Sequence, residues 1–340
     1  MGSMTDRKPA DFEIDAATLE RLDTTFDRLR DAIGQAFFGQ RKVVDLLLAG
    51  LLARGHVLLE SAPGLGKTTL VKSLASGLGL AFRRIQFTPD LMPADVLGSR
   101  VLEEDENGKR TFRHEPGPIF TQVLLADEIN RATPRTQASL LEAMQERQVT
   151  LFDGSRALDE GFFVVATQNP IEMEGTYPLP EAQLDRFEAK VLVPAPSRRE
   201  LVEILGRTTG QASSMPKPCL TAEDLDLARK AAAQVPVAGE WLERTARLVL
   251  STDPRSDRSP DPIRSGVRFG SSPRGGQAVL RLAKAHALLH GRAHVAPEDL
   301  EAVVVPALRH RLVLSYEGEA SGVSADDLVR IAFEHSATGD

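Results

Sequence analysis

Residues 61–68 read Ser-Ala-Pro-Gly-Leu-Gly-Lys-Thr, and the residues on either side of this stretch indicate how the chain folds around it. A short apolar run, Val57–Leu59, precedes it, and a segment with helical character, Leu70–Leu78, follows it. A glycine-rich turn between a strand and a helix places successive backbone N–H groups around an anionic phosphate, and the helix N-terminus adds a favourable dipole. The stretch therefore predicts a phosphate-binding loop in an α/β fold.

Lys67 and Thr68 carry the chemistry of this loop. In such a loop the lysine reaches the β- and γ-phosphates, and the threonine hydroxyl binds Mg²⁺. Ser61 stands where the usual pattern has its first glycine, which sets the entry turn rather than contacting the ligand. The alternative is an ordinary strand-to-helix turn that contains Gly-Lys-Thr by chance. We expect nucleotide to bind along Pro63, Gly64, Leu65, Gly66, Lys67, Thr68 and Thr69.

The composition narrows the classes of protein to consider. The chain has 340 residues, of which 42% are hydrophobic, so its length suits about two domains with a large core. The net charge of −7 argues against nucleic acid as the main partner, because a phosphate backbone requires a basic surface. The single cysteine, Cys219, suits a reducing cytoplasm. No run of about 18 apolar residues occurs, so we expect no membrane insertion.

Short apolar runs alternate with helical segments through the first part of the chain. Apolar spacings of three and four predict helices over Ala17–Gln35 and Pro134–Gln145, and a further helix ends at Ala53. This alternation predicts an α/β domain over residues 17–208, with a parallel sheet flanked by helices. The predicted strands are Val57–Leu59, Phe82–Phe87, Val123–Ala126, Phe162–Ala166 and Ala189–Val193.

Two β-hairpins interrupt this alternation. Asn107-Gly108 separates Val101-Leu102 from Thr111-Phe112, and Asp153-Gly154 separates Val149–Leu151 from Arg156–Leu158. Both dipeptides favour the tight turns that join antiparallel strands. The first hairpin should have a solvated tip, because it carries Glu103, Glu104, Asp105 and Glu106.

The last part of the chain, residues 209–340, predicts a smaller all-α domain, with no strands after about Arg207. The predicted helices are Ala222–Gln234, Gly239–Leu250, Pro273–Leu289, Pro297–Val305 and Ala325–Phe333. The segment Ser251–Ser272 is rich in Pro, Ser, Asp and Arg and is predicted to be a long loop. At the other end, residues 1–16 are polar, begin with Met1-Gly2-Ser3 like an expression tag, and are predicted to form a disordered tail.

Three polar residues follow predicted strands and suit phosphate chemistry. Asp127 and Glu128 end the apolar run that begins at Val123, and Asn169 follows the run that ends at Ala166. Asp127 would bind Mg²⁺ together with Thr68, and Glu128 would polarise the attacking water. The amide of Asn169 can hydrogen-bond the γ-phosphate and the water. The alternative for the acidic pair is a surface position at the end of a strand.

Two arginines are candidates for stabilising the transferring phosphoryl group. Arg186 lies in Leu184–Phe187, after a proline-rich loop. Arg274 follows Ser272-Pro273, which have the residue types of a helix N-cap and a first helical position, so it would project from the first turn of a helix. A guanidinium near the phosphoryl group stabilises its charge and often comes from another subunit. A surface salt bridge is the alternative for either arginine alone.

The order of Lys67-Thr68, Asp127-Glu128, Asn169, Arg186 and Arg274 resembles the Walker A, Walker B, sensor 1, arginine-finger and sensor 2 elements of AAA+ ATPases. Further stretches resemble the MoxR family in particular, and the resemblance covers roughly residues 36–316. These stretches are Phe38-Gly39-Gln40, Arg84–Asp95, Gly117–Phe120, Asp127–Ala132, Ala166–Pro170, Leu184–Phe187 and Leu308–Ser315.

The resemblance implies an AAA+ core with a lid domain, ATP and ADP as nucleotides, Mg²⁺ as cofactor, and a ring that is typically a hexamer. It implies that Gly39 and Gln40 border the adenine. Arg186 would act in trans on the nucleotide of a neighbouring subunit, whereas Arg274 would act in cis. MoxR proteins are thought to be chaperone-like remodelling factors that often work with von Willebrand factor A domain proteins, and some promote metal or cofactor insertion into client enzymes.

Two other features are weak candidates for sites. His286, His290 and His294 recur every four residues, a spacing found in some metal sites, but Gly291 is predicted to end or weaken the helix between them. Cys219 has no neighbouring His and no CxxC partner, so we interpret it as incidental.

The sequence supports a first hypothesis and leaves two alternatives. The first is a cytoplasmic, Mg²⁺-dependent ATPase that remodels or matures protein clients. One alternative is a nucleic-acid motor or loader of the same superfamily, which would need a basic face. The other is a nucleotide-gated scaffold with slow turnover, although such a scaffold would not need Glu128 and Arg186.

Overall fold

A computed structural model describes residues 15–104, 110–151, 154–169, 175–208 and 215–338 of the chain. The tail predicted at residues 1–16 lies outside these ranges except for Asp15 and Ala16. Asp15 caps the first helix, since its Oδ1 accepts a hydrogen bond of 2.6 Å from Thr18 N.

The described residues contain strands and helices at each place where the sequence predicts one. The strands are β1 (Val57–Glu60), β2 (Phe82–Gln86), β3 (Gly98–Glu104), β4 (Arg110–Pro116), β5 (Val123–Asp127), β6 (Gln148–Leu151), β7 (Gly154–Ala157), β8 (Phe163–Gln168), β9 (Ala189–Leu192), β10 (Val267–Phe269) and β11 (Val313–Leu314). The helices are α1 (Ala16–Ala36), α2 (Arg41–Leu52), α3 (Lys67–Gly77), α4 (Pro93–Leu97), α5 (Pro134–Glu146), α6 (Glu181–Leu184), α7 (Arg198–Thr208), α8 (Ala222–Gln234), α9 (Gly239–Ser251), α10 (Asp261–Gly266), α11 (Pro273–Leu289), α12 (Pro297–Leu308), α13 (Tyr316–Ser321) and α14 (Ala325–His335), with a 3-10 turn at Ile129–Arg131.

A five-stranded parallel sheet forms the centre of the first domain, in the order β2-β5-β8-β1-β9. Its three middle strands are apolar and buried nearly throughout, as expected for a sheet covered on both faces. All five strands run in the same direction, so the segments that follow β1, β5 and β8 leave the sheet at one edge. We call this the carboxyl edge, and the opposite one the amino edge.

The side chains of each strand alternate between two hydrophobic cores. On β1, Leu59 packs into a core with helices α1, α2 and α3, whereas Leu58 packs into a second core with α5. The first core continues without a break into α11 and α12. The predicted boundary at residue 208 therefore separates two patterns of secondary structure that share one core.

The two predicted hairpins are present as antiparallel strand pairs. β3 pairs with β4, and β6 pairs with β7. The predicted turn residues Asn107-Gly108 and Asp153 lie outside the described residues, as do Asp105 and Glu106. The described residues near the tip of the first hairpin are solvated as predicted, because Glu103 and Glu104 are exposed.

The C-terminal region is helical, but the prediction that strands end near Arg207 is wrong at two short segments. β10 and β11 form an antiparallel pair, with Val267 opposite Leu314. The predicted long loop Ser251–Ser272 is also wrong, since it contains α10 and β10. The strands β10 and β11 are too short for a periodic signal, and the residues that pair lie more than 40 positions apart in the chain.

A buried ion pair joins the first two helices to the C-terminal region. Arg30 Nε donates to Asp45 Oδ1 at 2.5 Å, and Arg30 Nη2 donates to Leu289 O, the last residue of α11, at 2.7 Å. Both charged groups are largely buried, so each depends on the other. Within the described ranges, no helix is long and apolar enough to cross a bilayer.

His56 is a buried titratable group at the amino edge, immediately before β1. Its Nδ1 accepts a hydrogen bond from Val164 N at 3.0 Å, and its Nε2 lies 3.2 Å from Met144 O. The ring thereby connects β8 with the end of α5. Burial lowers the pKa of His56 to about 3, so the folded protein holds this ring neutral.

Acid should destabilise the protein partly through His56. Below pH 6.5 the unfolded chain binds a proton on this ring, whereas the folded chain does not until about pH 3, so stability falls as the pH is lowered through this window. The His56→Gln variant should lose less stability on acidification, by about 1.4 kcal/mol per pH unit between pH 6 and 4. Urea unfolding over this range measures the slope, with His294→Gln, an exposed site, as control. Equal slopes for the wild type and His56→Gln would contradict the assignment.

Candidate nucleotide site

The loop between β1 and α3 has the backbone that a phosphate cradle requires. Gly64 and Gly66 have φ of 81° and 75°, in the left-handed region that favours glycine. Gly66 is the N-cap of α3, and Lys67 is the first residue of this helix. The free N–H groups of the first helical turn therefore lie at the carboxyl edge of the sheet.

Ser61 takes the place of the first glycine without strain. It is not among the described non-glycine residues with positive φ, which are Arg54, Glu128 and Arg147. Its side chain is buried and its Oγ donates to Ala62 O at 3.1 Å. Its carbonyl accepts a hydrogen bond of 3.2 Å from Lys67 Nζ. Because a backbone group makes this contact, glycine or serine can serve equally here.

Asp127 ends β5 with its carboxylate buried and bonded on both oxygens. Thr167 Oγ1 donates to Oδ1 at 2.6 Å, and the guanidinium of Arg84 donates to Oδ2 at 2.6 and 3.1 Å. Arg84 comes from the neighbouring strand β2. The position therefore already accommodates a cation beside Asp127, which suits the chemistry of a metal ligand.

Glu128 follows Asp127 in a strained conformation, with φ of 57° and ψ of 48°. Thr167 Oγ1 accepts a hydrogen bond of 2.8 Å from the N–H of Glu128. Glu128 Oε2 accepts from Gln86 Nε2 at 2.7 Å and from Arg131 Nη1 at 3.0 Å. The candidate water-activating group is thus held by two side chains.

Asn169 completes the group at the carboxyl edge. It is buried and follows β8, which lies between β1 and β5 in the sheet. Thr167 in the same strand pairs with Leu59, two residues before the loop. The structure therefore brings Lys67 and Thr68, Asp127 and Glu128, and Asn169 to one edge, as the sequence predicts for their strands.

A cavity of about 480 Å³ adjoins the phosphate loop and has an apolar lining that suits a base. Gly64, Leu65, Gly66 and Thr69 line one side. Phe37 and Phe38, before α2, and Leu201 and Ile204, on α7, contribute apolar side chains to the rest of the lining. These four apolar residues were not identified from the sequence as ligand contacts. Their spacing is that of ordinary core residues, so it does not indicate that they share a cavity.

Gln40 lies in this lining, next to Gly39, which has φ of 80°. Its amide Nε2 donates to Pro194 O at 2.9 Å, and this contact sets the orientation of the amide. Its Oε1 is buried and has no hydrogen-bond partner. An amino group of a bound base is the type of donor that this oxygen would accept.

The two candidate arginines lie at the opposite edge of the sheet. Glu188, two residues after Arg186, donates its N–H to His56 O at 2.8 Å, just before β1 begins. The phosphate loop follows the other end of β1, about 13 Å further along the strand. Arg186 therefore cannot contact a phosphate held by the loop of its own chain.

Arg274 lies with Arg186, not with the phosphate loop. Both line a small cleft of about 170 Å³, and Arg274 Nη1 lies 3.9 Å from Asp185 Oδ2. The N-cap prediction for its helix is met, since Ser272 Oγ accepts from Arg274 N at 3.2 Å. The resemblance implies a cis role for Arg274, but in this structure the start of its helix packs against Asp185, next to Arg186, since Ser272 Oγ also lies 3.3 Å from Asp185 Oδ2.

The histidine series does not form a metal site. His286 Nδ1 lies 2.7 Å from Asp299 Oδ1, and the His286 and His290 rings stack with centroids 4.2 Å apart. The helix ends at Leu289, and Gly291 follows with φ of 65°. No group of three or more His, Cys, Asp or Glu side chains suited to a metal ion occurs among the residues that the structure describes.

Family models match both parts of the chain. The model described as "ATPase family associated with various cellular activities (AAA)" matches residues 56–189, and a model of the AAA lid domain matches residues 263–331. The first match contains the phosphate loop, the acidic pair, Asn169 and Arg186. The second contains Arg274.

Similar proteins match nearly the full length of the chain. The chain is 42% identical to the uncharacterized protein YeaC of Bacillus subtilis, over 92% of this chain and 94% of that protein. It is 41% identical to Chaperone MoxR1 of Mycobacterium tuberculosis, over 90% and 80% of the two chains. The crystal structure of a candidate ATPase from Cytophaga hutchinsonii is similar with a TM-score of 0.87 and 35% identity, over 94% and 96% of the two chains.

Replacing Ser61 with glycine should change ATP affinity by less than about threefold, because only its backbone contacts Lys67. The comparison is Lys67→Ala, which should weaken binding at least about tenfold through loss of a charge-assisted hydrogen bond. Calorimetric titration with ATP measures both. A tenfold gain in Ser61→Gly would show that the serine does strain the loop.

Proposed function

Since the chain belongs to the MoxR family of AAA+ ATPases and hydrolyses ATP, we propose that this hydrolysis drives the remodelling or maturation of other proteins. A relative at 41% identity carries the name chaperone. The described residues leave apolar side chains exposed on the first hairpin, where Val101, Leu102 and Phe112 are 41%, 49% and 55% exposed. Such a surface suits contact with an apolar segment of a client protein.

The active form in this proposal is a ring of identical subunits, a hexamer as in the family that the chain resembles. The observation that carries it is the separation of the site residues between two edges of the sheet. In a closed head-to-tail ring, one surface of each subunit meets a different surface of the next. Such a ring can bring the amino edge of one subunit to the carboxyl edge of its neighbour.

Each residue then has a defined role. Lys67 and the loop N–H groups bind the β- and γ-phosphates, while Gly39 and Gln40 border the adenine. Glu128 orients and partly deprotonates the attacking water, and Asn169 hydrogen-bonds the water and the γ-phosphate. Arg186 and Arg274 of the neighbouring subunit stabilise the charge that develops on the phosphoryl group.

Thr68 and Asp127 would hold Mg²⁺, which neutralises phosphate charge when bound. Hydroxyl and carboxylate oxygens are ligands that this ion accepts, and the ion pair between Asp127 and Arg84 indicates a site that favours positive charge. Arg84 and Gln86 on β2 hold the two acids, and Arg131 holds Glu128 as well. Both contacts of Glu128 are to its Oε2, so Oε1 can accept a hydrogen bond from the attacking water.

The partners in this proposal are other subunits, client proteins and a von Willebrand factor A domain protein, all within the cytoplasm. The last two follow from the family that the chain resembles. Binding to such a partner in the presence of ATP and of ADP tests this part of the proposal directly.

The Glu128→Gln variant should bind ATP with unchanged affinity and lose at least about 100-fold in turnover, because the amide cannot accept a proton from water. Phosphate release measures turnover, and calorimetry measures affinity. Glu142→Gln, an exposed position on α5, is the control. Normal turnover in Glu128→Gln would exclude the assigned role.

Mixing variants tests the action of Arg186 in trans. Arg186→Ala should lower turnover by about 10³-fold or more, and Lys67→Ala should abolish nucleotide use in its own subunit. In an equal mixture, roughly a quarter of the interfaces of a head-to-tail ring combine an intact loop with an intact arginine. The mixture should therefore hydrolyse ATP although neither variant does so alone. An inactive mixture, with subunit exchange demonstrated by fluorescence transfer, would exclude the trans arrangement.

A further inference from the structure

The segment Asp185–Glu188, here called the arginine loop, is held from the C-terminal region by one buried side chain. Arg311, after α12, is buried with only 3% of its side chain exposed. Its Nε donates to Asp185 Oδ1 at 2.8 Å, and its Nη2 donates to Phe187 O at 2.8 Å and to Asp185 O at 3.2 Å. Its Nη1 donates to Glu188 O at 3.4 Å. The guanidinium thus contacts the residues on both sides of Arg186.

Other groups of the C-terminal region reinforce this attachment. Arg281 on α11 forms a two-bond ion pair with Glu188, at 2.6 and 3.1 Å. The Nε2 of His310 lies 3.1 Å from Phe187 O, and Ser272 Oγ lies 3.3 Å from Asp185 Oδ2. Phe187 itself is fully buried. The backbone before and after Arg186 therefore has little freedom, while its side chain extends from this support.

We infer that Arg311 is a positioning residue for Arg186, and that it joins the arginine loop and the start of α11 into one unit that presents Arg186 and Arg274 together. This inference rests on the proposed action of Arg186 on a neighbouring subunit. Arginine suits the task because its planar fork donates in several fixed directions at once, whereas a lysine ammonium cannot reach the same set of acceptors.

The unit has a functional consequence. Arg274 comes from the first turn of α11, and the same helix carries Arg281, which holds Glu188. A shift of the C-terminal region relative to the sheet would therefore move both arginines. In the described part of the chain, the contacts of this unit lie at the amino edge, away from the phosphate loop, so its loss should leave nucleotide binding in that chain intact.

The test is Arg311→Lys, which keeps the charge and much of the volume. Turnover should fall by about 10- to 100-fold, because small displacements of a catalytic group have costs of this size. ATP affinity should stay within about twofold of the wild type, because the phosphate loop is distant. A variant that is only destabilised would not lose turnover while keeping its ATP affinity.

Subunit mixing separates positioning from general damage. A mixture of Arg311→Lys with Lys67→Ala should regain turnover, because the first supplies an intact phosphate loop and the second supplies an intact arginine loop. A mixture of Arg311→Lys with Arg186→Ala should show no more turnover than the two variants measured separately, since both lack the same function. Regain in the second mixture, or full turnover of Arg311→Lys alone, would overturn the inference.

Two further variants make the test independent of the folding of Arg311→Lys. Asp185→Asn removes the charge that Arg311 Nε contacts and should show the same mixing behaviour with a smaller loss. Arg309→Lys is the control, because Arg309 belongs to the same segment and is also largely buried but pairs with Asp326, within the C-terminal region. It should keep wild-type turnover.

The mixtures also separate failure of the inference from failure of the proposed function. If Arg186→Ala and Lys67→Ala fail to complement each other, the proposed trans action fails. If they complement each other but Arg311→Lys does not behave like Arg186→Ala in the mixtures, only the present inference fails.

Discussion

The parallel alignment of β1, β5 and β8 is the constraint on which the candidate site depends. Each strand is buried on both faces, so a slip by one residue would exchange the side chains that face its two cores. The resulting register places the phosphate loop, the acidic pair and Asn169 at the ends of neighbouring strands. Hydrophobic packing thereby determines the position of polar groups that make no hydrophobic contacts themselves.

The opposite edge of the same sheet has a different organisation. Polar contacts from the C-terminal region hold the arginine loop there, through Arg311, Arg281 and His310. Burial keeps the pKa of His310 well below its ordinary value, so this ring is neutral where it meets Arg311. One part of the candidate site is thus supported by the sheet and the other by the C-terminal helices, and in the proposed ring a neighbouring subunit brings the two together.

Much of the fold could be predicted from sequence because its signals are local. The helix over Ala222–Gln234 has a Thr221 cap, and the helix that starts at Pro273 has a Ser272 cap, so both begin where the sequence indicates. The strands β10 and β11 were not predicted because they are so short, with three residues in β10 and two in β11. A pattern this short carries no period, and the pairing becomes visible only when both segments are in place.

In the candidate site, too, local motifs could be predicted from the sequence, whereas contacts between distant segments could not. Residues in recognisable motifs, such as Lys67, Asp127 and Glu128, could be identified from their order and from the strands before them. Their partners Arg84 and Thr167 could not, because each contact depends on which strand lies beside which. The position of Arg274 beside Arg186 could not be predicted for the same reason, since its helix cap says nothing about the surface on which the helix packs.

The sequence by itself determined the α/β class, the phosphate loop, the order of the acidic pair and Asn169, and the starts of most helices. These features depend on residue type and on spacing within one segment. The tertiary structure alone decided that Arg186 and Arg274 lie together at the amino edge, that Arg311 holds the loop that carries Arg186, and that Arg84 and Gln86 hold the acids. The physical reason is that these contacts join residues far apart in the chain, and packing, not local propensity, brings such residues within hydrogen-bond distance.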